Sequence, residues 1–145
     1  MSLSQSGTSL DVLLRSLTAW ADGSVQHDVA VGLAQEGQRL VREGFAASKA
    51  PDGSRWAPLK HPRPGGPVLV RTRKLAAAAP FYVVDAAGFV MDAVDRRAPY
   101  GRFHQRGAPG ANLPRRAFYP DERLSVAWTL RLRAAADDAL RAHLP

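Results

Sequence analysis

The residues that could do chemistry in this chain are few and far apart. Histidines occur at positions 27, 61, 104 and 143, and none has a second histidine or a carboxylate at the spacing of helical metal ligands. His27 and Asp28 are adjacent, so their side chains point apart on a helix. Asp92 and Asp95 come nearest to a carboxylate pair, but a solvated strand end explains them more simply. With no cysteine present, we predict no catalytic residue, no metal site, no cofactor and no enzymatic activity.

His104, followed by Gln105, is the histidine with the most distinctive setting. As a general base it would need a nucleophile and an orienting group, and the sequence displays neither. Buried polar groups are usually satisfied, so we favour a hydrogen-bonded structural histidine. A hydrolase that uses His104 is a third, less favoured interpretation.

His104 belongs to a segment over 98–120, here called the arm, that is rich in aromatic, basic, glycine and proline residues and has no acid. Its prolines and glycines argue against a regular helix, although its aromatic side chains need burial. We therefore predict an ordered, irregular arm that packs against another surface. Its aromatic residues are Tyr100, Phe103, Phe118 and Tyr119, and its arginines are Arg102, Arg106, Arg115 and Arg116.

The net charge of +7 is concentrated in the middle of the chain. Residues 1–50 have a net charge of −1, residues 51–120 of +8 and residues 121–145 of 0. Two blocks without acids, 55–74 and 96–116, hold six basic residues each. A clustered basic surface favours phosphates or an acidic protein face, and a plain solvated face is the equally weighted alternative.

Helical periodicity marks both ends of the chain. Apolar residues three or four apart predict a first helix over 9–20 and a second over 24–47, separated by Gly23. A third helix is predicted to begin near Asp121, with the apolar stripe Leu124, Trp128, Leu132, Ala135 and Ala139. Residues 81–84 and 89–94 are rich in strand-forming types, and the connection over 85–88 is typical of a hairpin.

Trp56 follows the turn that is predicted after the second helix. Pro51, Asp52 and Gly53 stop the helix, and a tryptophan beside a turn usually plugs the edge of a core. Anchoring of a protein interface is the sharper alternative for Trp56.

The first residues of the chain are not a basic stretch followed by an apolar run. We therefore predict a soluble protein that is not secreted.

Several motifs, taken in order, resemble those of the phage virion morphogenesis (tail completion) family. The first half has the long helix, then PDG at 51–53, WAPL at 56–59, and Leu69 with Thr72, Lys74 and Leu75. The second half has YGRFHQ at 100–105, Gly107 and LPRRAF at 113–118. Order and spacing hold from about 37 to 120.

The resemblance implies one domain over 1–145 with an α+β fold. A small antiparallel sheet, with the hairpin at about 80–94, would be packed by an N-terminal helix pair and a C-terminal helix, with long ordered loops. It also implies a non-enzymatic protein of the virion tail or neck, assembled in the bacterial host cytoplasm, that enables head–tail joining.

The implied partners are further copies in a homo-oligomeric ring, expected to be a hexamer, and neighbouring tail tube, tail terminator or head–tail connector proteins. Non-specific contact with packaged DNA is also expected, and contact with a membrane is not. We predict six anchors of the fold or of a subunit interface: Trp56, Tyr100, Phe103, His104, Gln105 and Phe118. The predicted basic contact surface is Arg71, Arg73, Lys74, Arg102, Arg106, Arg115 and Arg116.

A stand-alone basic nucleic-acid-binding domain is the alternative function. Basic residues beside aromatics suit phosphates and stacked bases. However, no helix-turn-helix, RRM or zinc pattern accompanies them.

Overall fold

A computed structural model of the chain describes residues 10–61, 64, 68–69, 73–78, 82–85, 88–91, 98–121 and 123–144. The helices are α1 (Leu10–Ala21), α2 (Ser24–Ala47), α3 (Lys74–Ala78), α4 (Gly101–Arg106) and α5 (Val126–Arg141). The strands are β1 (Tyr82–Asp85) and β2 (Gly88–Met91), and a 3₁₀ turn spans Pro109–Ala111.

The long helix α2 is the element on which the fold is built, and its predicted bounds are confirmed. It begins after Gly23, whose φ of 85° lies in the left-handed region that glycine tolerates. It ends at Ala47, and the C-cap residue Ser48 is also left-handed. The N–H of Lys49 donates to the carbonyl of Gly44 at 2.9 Å and closes this end of the helix. Its buried apolar side chains are Val25, Ala30, Ala34, Leu40, Val41 and Phe45.

Helix α5 packs along α2. It begins at Val126, later than predicted, because the Oγ of Ser125 accepts the N–H of Trp128 at 3.3 Å and caps the helix there. Trp128 is buried, whereas Leu124, which the predicted stripe included, precedes the helix and is exposed. At Gly32 an added Cβ would lie 3.5 Å from the carbonyl oxygen of Ala135, so the two backbones approach closely there.

A charged clamp joins the same two helices. The Nε of Arg131 on α5 donates to Glu36 at 2.7 Å, and its Nη2 donates to Glu43 at 3.0 Å. Arg39 also donates to Glu36 at 2.7 Å, so this buried carboxylate has two guanidinium partners. The hydrogen bonds from Arg131 lower the pKa of Glu43. The hydrogen bonds to the two carboxylates, chiefly those to Glu43, raise the pKa of Arg131.

Removing the guanidinium should test this clamp. We expect Arg131→Met to lower the free energy of unfolding by about 1–2 kcal/mol, since it strips a partner from buried Glu36 while the contact with exposed Glu43 is screened by water. Because the pKa of Glu43 is lowered in the fold, its contribution is present at neutral pH and is lost as the pH falls below about 4. Urea unfolding would measure both effects. Arg133→Met, on an exposed residue of α5, is the control, and equal losses in the two variants would refute the clamp.

Helix α1 does not bury its apolar stripe. Leu13, Leu14, Leu17 and Trp20 are exposed. The better covered residues of α1 are those of the face beside the stripe, Val12, Ser16 and Ala19, which are half-buried. The helical period was therefore predicted correctly, but the leucine face of α1 does not point into the described core.

The predicted α+β fold, with an antiparallel sheet packed by helices, is wrong. The described residues are about 60% helical, and they contain no sheet layer. The backbones of β1 and β2 pair as a two-stranded antiparallel ribbon, with Val83 opposite Val90, and two four-residue strands do not make a layer. The described core cluster comes instead from helices and loops: Leu40, Val41, Phe45, Trp56, Leu75, Ala98, Phe118 and Trp128. Among the described helices, none has the length and apolarity needed to cross a bilayer.

Candidate functional site

The turn after α2 aims Trp56 into the core. The Oδ1 of Asp52 accepts the Ser54 N–H at 2.8 Å and the Ser54 hydroxyl at 2.6 Å, and these bonds lower the pKa of Asp52. Gly53 has a φ of 87°, which the turn requires. The N–H of Trp56 then donates to the carbonyl of Ser48 at 2.9 Å, which fixes where the indole enters.

Trp56 connects this turn to the arm. Its Nε1–H donates to the carbonyl of Ala117 at 2.7 Å, across 61 positions of sequence. Its ring meets Phe45 of α2 edge-to-face with centroids 5.3 Å apart, and Phe45 meets Phe118 at the same distance. The turn, the long helix and the arm therefore share one aromatic core.

Gln105 on α4 holds the two ends of the arm together. Its Oε1 accepts the N–H groups of Phe118 at 2.9 Å and Tyr119 at 3.0 Å. Its Nε2 donates to the Tyr119 carbonyl and to Asp121, both at 2.9 Å. This pattern also fixes the amide orientation, because the two N–H groups require an acceptor and the two oxygens require a donor.

Arg116 is a structural residue, which corrects its assignment to the basic contact surface. Its Nε donates to the carbonyl of Ala57 at 2.9 Å, and its Nη2 donates to that of Pro58 at 3.0 Å. Its own N–H donates to the carbonyl of His104 at 2.7 Å. Only 4% of Arg116 is exposed, and burial lowers its pKa. A guanidinium enclosed in this way satisfies loop carbonyls and does not face a partner.

The neighbouring Arg115 completes the closure of the arm from outside. It is exposed, forms an ion pair with Asp121, and donates through Nε to the Gln105 carbonyl at 3.1 Å. Gly107 lies against it with a φ of 78°, and an added Cβ there would be 3.1 Å from the Arg115 nitrogen. The chain reversal between α4 and residue 115 therefore requires a glycine at 107.

His104 differs from the fully hydrogen-bonded histidine that the sequence led us to expect. Its Nδ1 is buried and has no hydrogen-bond partner among the residues that the structure describes, so that expectation is wrong for this nitrogen. The ring meets Tyr100 edge-to-face at 6.1 Å. Burial, and secondarily the charge of Arg116, lower the pKa of His104. These surroundings therefore favour the neutral form of the His104 ring over the charged form.

This gives His104 a predicted effect on stability. Because its pKa is lowered in the fold, the unfolded chain takes up a proton more readily, and the free energy of unfolding should decrease as the pH falls below about 6.5. His104→Gln should flatten that decrease, as measured by urea unfolding between about pH 5 and 8. His27→Gln, at an exposed position, should leave it unchanged. An unaltered pH profile in His104→Gln would contradict this account.

The structure separates the remaining predicted site residues from the core. Tyr100 and Phe103 are exposed, and the guanidinium of Arg102 lies 4.8 Å from the Phe103 ring centroid. The other surface residues predicted to be basic contacts are exposed, namely Arg73, Lys74 and Arg106. Arg71, Asp92, Asp95 and the parts of the predicted hairpin outside β1 and β2 lie outside the described residues.

Sequence reasoning missed the pairing of Glu36 with Arg131. Glu36 and Glu43 lie seven positions apart, so they share one face, but nothing local marks Arg131 as their partner. It also missed a groove beside the aromatic core. Two adjoining clefts, of about 430 and 550 Å³, share Ala50, Pro51, Asp52 and Ser125.

This groove, here called the α2–α5 groove, lies between the C-terminal end of α2, the following turn and the start of α5. Its larger part is lined by apolar groups that include Leu40, Phe118, Val126 and Trp128. Arg55 and Arg123 line its smaller part, and neither forms an ion pair with any residue that the structure describes. In the same described ranges, no group of three metal-ligating side chains occurs.

These features define a small, mainly helical protein in which Trp56, Arg116 and Phe118 hold two loops to one aromatic core beside an apolar, basic-rimmed groove. Comparison with known proteins finds no matching family model, no similar curated protein and no similar solved structure.

Proposed function

We propose that this chain is a structural protein of a phage virion that completes the head-proximal end of the tail and enables head–tail joining. One observation carries the proposal. Among the residues of the motifs that resemble the virion morphogenesis family, Trp56 and Arg116 bond the turn after α2 to the arm. Gln105 bonds one end of the arm to the other through the N–H of Phe118. These side chains satisfy the protein's own backbone groups, which is the work of fold-holding residues.

An assembly role gives these loops a physical purpose. Long segments without regular structure are usually functional when they are ordered, and this network holds the arm in one shape. The rigid surface it creates would contact other copies in a ring and the tail tube, tail terminator or connector proteins. The exposed arginines would meet acidic faces of these proteins or packaged DNA.

Deleting the chain from a genome that produces particles tests this proposal. We expect electron microscopy to show filled heads and separate tails, and joined particles to return when the wild-type chain is supplied. Gln105→Ala should restore joining poorly, because it releases the arm, whereas Arg106→Ala, at the next and exposed position, should restore it fully. Normal joining in the deletion strain would overturn the proposal.

The alternative of nucleic-acid binding is favoured by one surface feature. Arg102 stacks over the exposed ring of Phe103, and such pairs provide platforms for bases and phosphates. Gel-shift titration of the purified chain against salt separates the two functions. Tight binding by the monomer with a steep salt dependence would support the alternative, whereas weak binding without that dependence would support a structural role.

A further inference from the structure

The exposed face of α1 is the feature that the proposed network leaves unused. Its four large apolar residues, Leu13, Leu14, Leu17 and Trp20, are between 42% and 56% exposed. Leu13 and Leu14 lie four and three positions before Leu17, and Trp20 lies three after it, so the four side chains form one continuous stripe. Val12, Ser16 and Ala19, on the face beside this stripe, are the better covered residues.

Helix α1 is also too short to be stable without support. Its 12 residues fall at the length where isolated helices are marginal in water, and most helical stability in proteins comes from packing of the apolar face. A contiguous exposed apolar patch of this kind marks an interaction site. The helix therefore needs a surface that covers its leucines.

The α2–α5 groove offers a surface of matching chemistry on the same chain. Its larger cleft has about 550 Å³ of space and an apolar lining, with Val126 at its edge 77% exposed. Amphipathic helices are bound in such grooves through anchors spaced like those of α1. The groove lies at the C-terminal end of α2, whereas α1 is joined to its N-terminal end. The 24 residues of α2 span about 36 Å, and this length separates α1 from the groove of its own chain.

Charge favours a second copy as the occupant. Residues 10–28 have three exposed carboxylates, Asp11, Asp22 and Asp28, against one arginine, Arg15. The two clefts of the groove are lined by five basic side chains, Lys49, Arg55, Arg115, Arg123 and Arg131, against three carboxylates, Glu43, Asp52 and Asp121. Of the basic side chains, Arg55 and Arg123 form no ion pair with a residue that the structure describes. An acidic helix end and a basic groove rim attract each other, and every copy carries both.

We propose that α1 of one copy docks in the α2–α5 groove of the next, with Leu13, Leu14, Leu17 and Trp20 against its apolar lining. The two surfaces differ, so the contact is heterologous, and repetition of it closes a ring or extends a filament. Closure into a ring rests on the proposed function, whereas the docking contact itself rests on the two surfaces.

Single cysteines test the contact, because the natural chain has none. Leu17→Cys lies in the middle of the stripe and Val126→Cys at the edge of the groove. After mixing and mild oxidation, the two variants should form a disulfide-linked dimer, and neither should do so alone. Two control variants are Arg15→Cys, exposed on the side of α1 away from the stripe, and Leu144→Cys, exposed beyond the C-terminal end of α5. The yield of dimer should fall at least about tenfold when Arg15→Cys replaces Leu17→Cys, or Leu144→Cys replaces Val126→Cys, in the mixture.

Each other result overturns the docking. Dimers from Leu17→Cys alone would show that two α1 helices pair with each other. The absence of dimers from the mixture, at concentrations up to those where sedimentation detects oligomers, would show that the groove is not the receptor. A monomer at every concentration would exclude a second copy and leave another protein as the occupant.

Sedimentation of charge variants gives a second readout that does not depend on oxidation. Leu14→Lys should weaken self-association at least about tenfold, whereas Leu144→Lys should not change it. Both positions are exposed, so both variants should keep the wild-type unfolding midpoint. The docking test and the deletion experiment are independent. If docking is confirmed but the deletion strain still joins heads to tails, only the proposed phage role is refuted. If docking fails but the deletion strain no longer joins heads to tails, only the docking is refuted.

Discussion

Trp56→Ala is expected to lower the free energy of unfolding by about 3–5 kcal/mol, the largest effect of any substitution considered for this chain. The indole is 6% exposed and packs edge-to-face on Phe45, so its removal leaves a cavity among aromatic rings. It also removes the donor to the Ala117 carbonyl, which joins the turn to the arm. Urea unfolding followed by far-UV circular dichroism would measure the loss.

The chain supplies a matched control in Trp20. This residue is of the same type but is exposed on α1, so Trp20→Ala should change the free energy of unfolding by no more than about 0.5 kcal/mol in dilute solution. Trp56→Phe should fall between the two, because it keeps most of the packing but not the hydrogen bond. Similar losses from Trp20→Ala and Trp56→Ala would show that the core is not centred on Trp56.

Gln105→Ala is expected to cost about 2–4 kcal/mol, because one side chain satisfies three backbone groups of the arm. The N–H of Phe118, a residue that is 2% exposed, would lose its acceptor, and Tyr119 would lose partners for both its N–H and its carbonyl. Cleavage by a protease within the arm should also become faster, since the bonds that close it are gone. Arg106→Ala, at the exposed neighbouring position, should leave both measurements unchanged.

Gln105→Glu separates the roles of the two ends of the amide. The variant keeps an oxygen for the two N–H groups but places a second oxygen against the Tyr119 carbonyl and the Asp121 carboxylate. That repulsion raises the pKa of the introduced carboxyl, so the folded state should bind its proton more tightly than the unfolded state. The penalty should therefore grow as the pH rises above about 4.3, and a penalty that does not depend on pH would contradict this assignment.

Local signals predicted the elements whose causes are local. The bounds of α2 follow from Gly23 and from the turn at 51–53, and both act within a few residues. The start of α5 was misplaced because the cap at Ser125 was overlooked. Strand-forming residues pointed to β1 and β2, but an α+β fold needs further strands that no local pattern could supply or exclude.

The site could be predicted only as far as residue types allow. Trp56 and Phe118 were chosen as anchors, and they lie in one core. Gln105 was chosen through a family motif, but its contact with residues 13 and 14 positions away depends on the path of the arm. Arg116 was assigned to the basic surface because it lies in an acid-free block of basic residues. It is buried because its guanidinium donates to the carbonyls of Ala57 and Pro58, which no local pattern shows.

The short link between α1 and α2 acquires a geometric meaning in a chain of docked copies. Only Asp22 and Gly23 separate the two helices, and Gly23 has a φ of 85°. The bend at this link sets the direction in which each subunit offers its helix to the next one. The diameter of a closed assembly, or the pitch of an open one, would then be determined largely by the backbone angles of a single glycine.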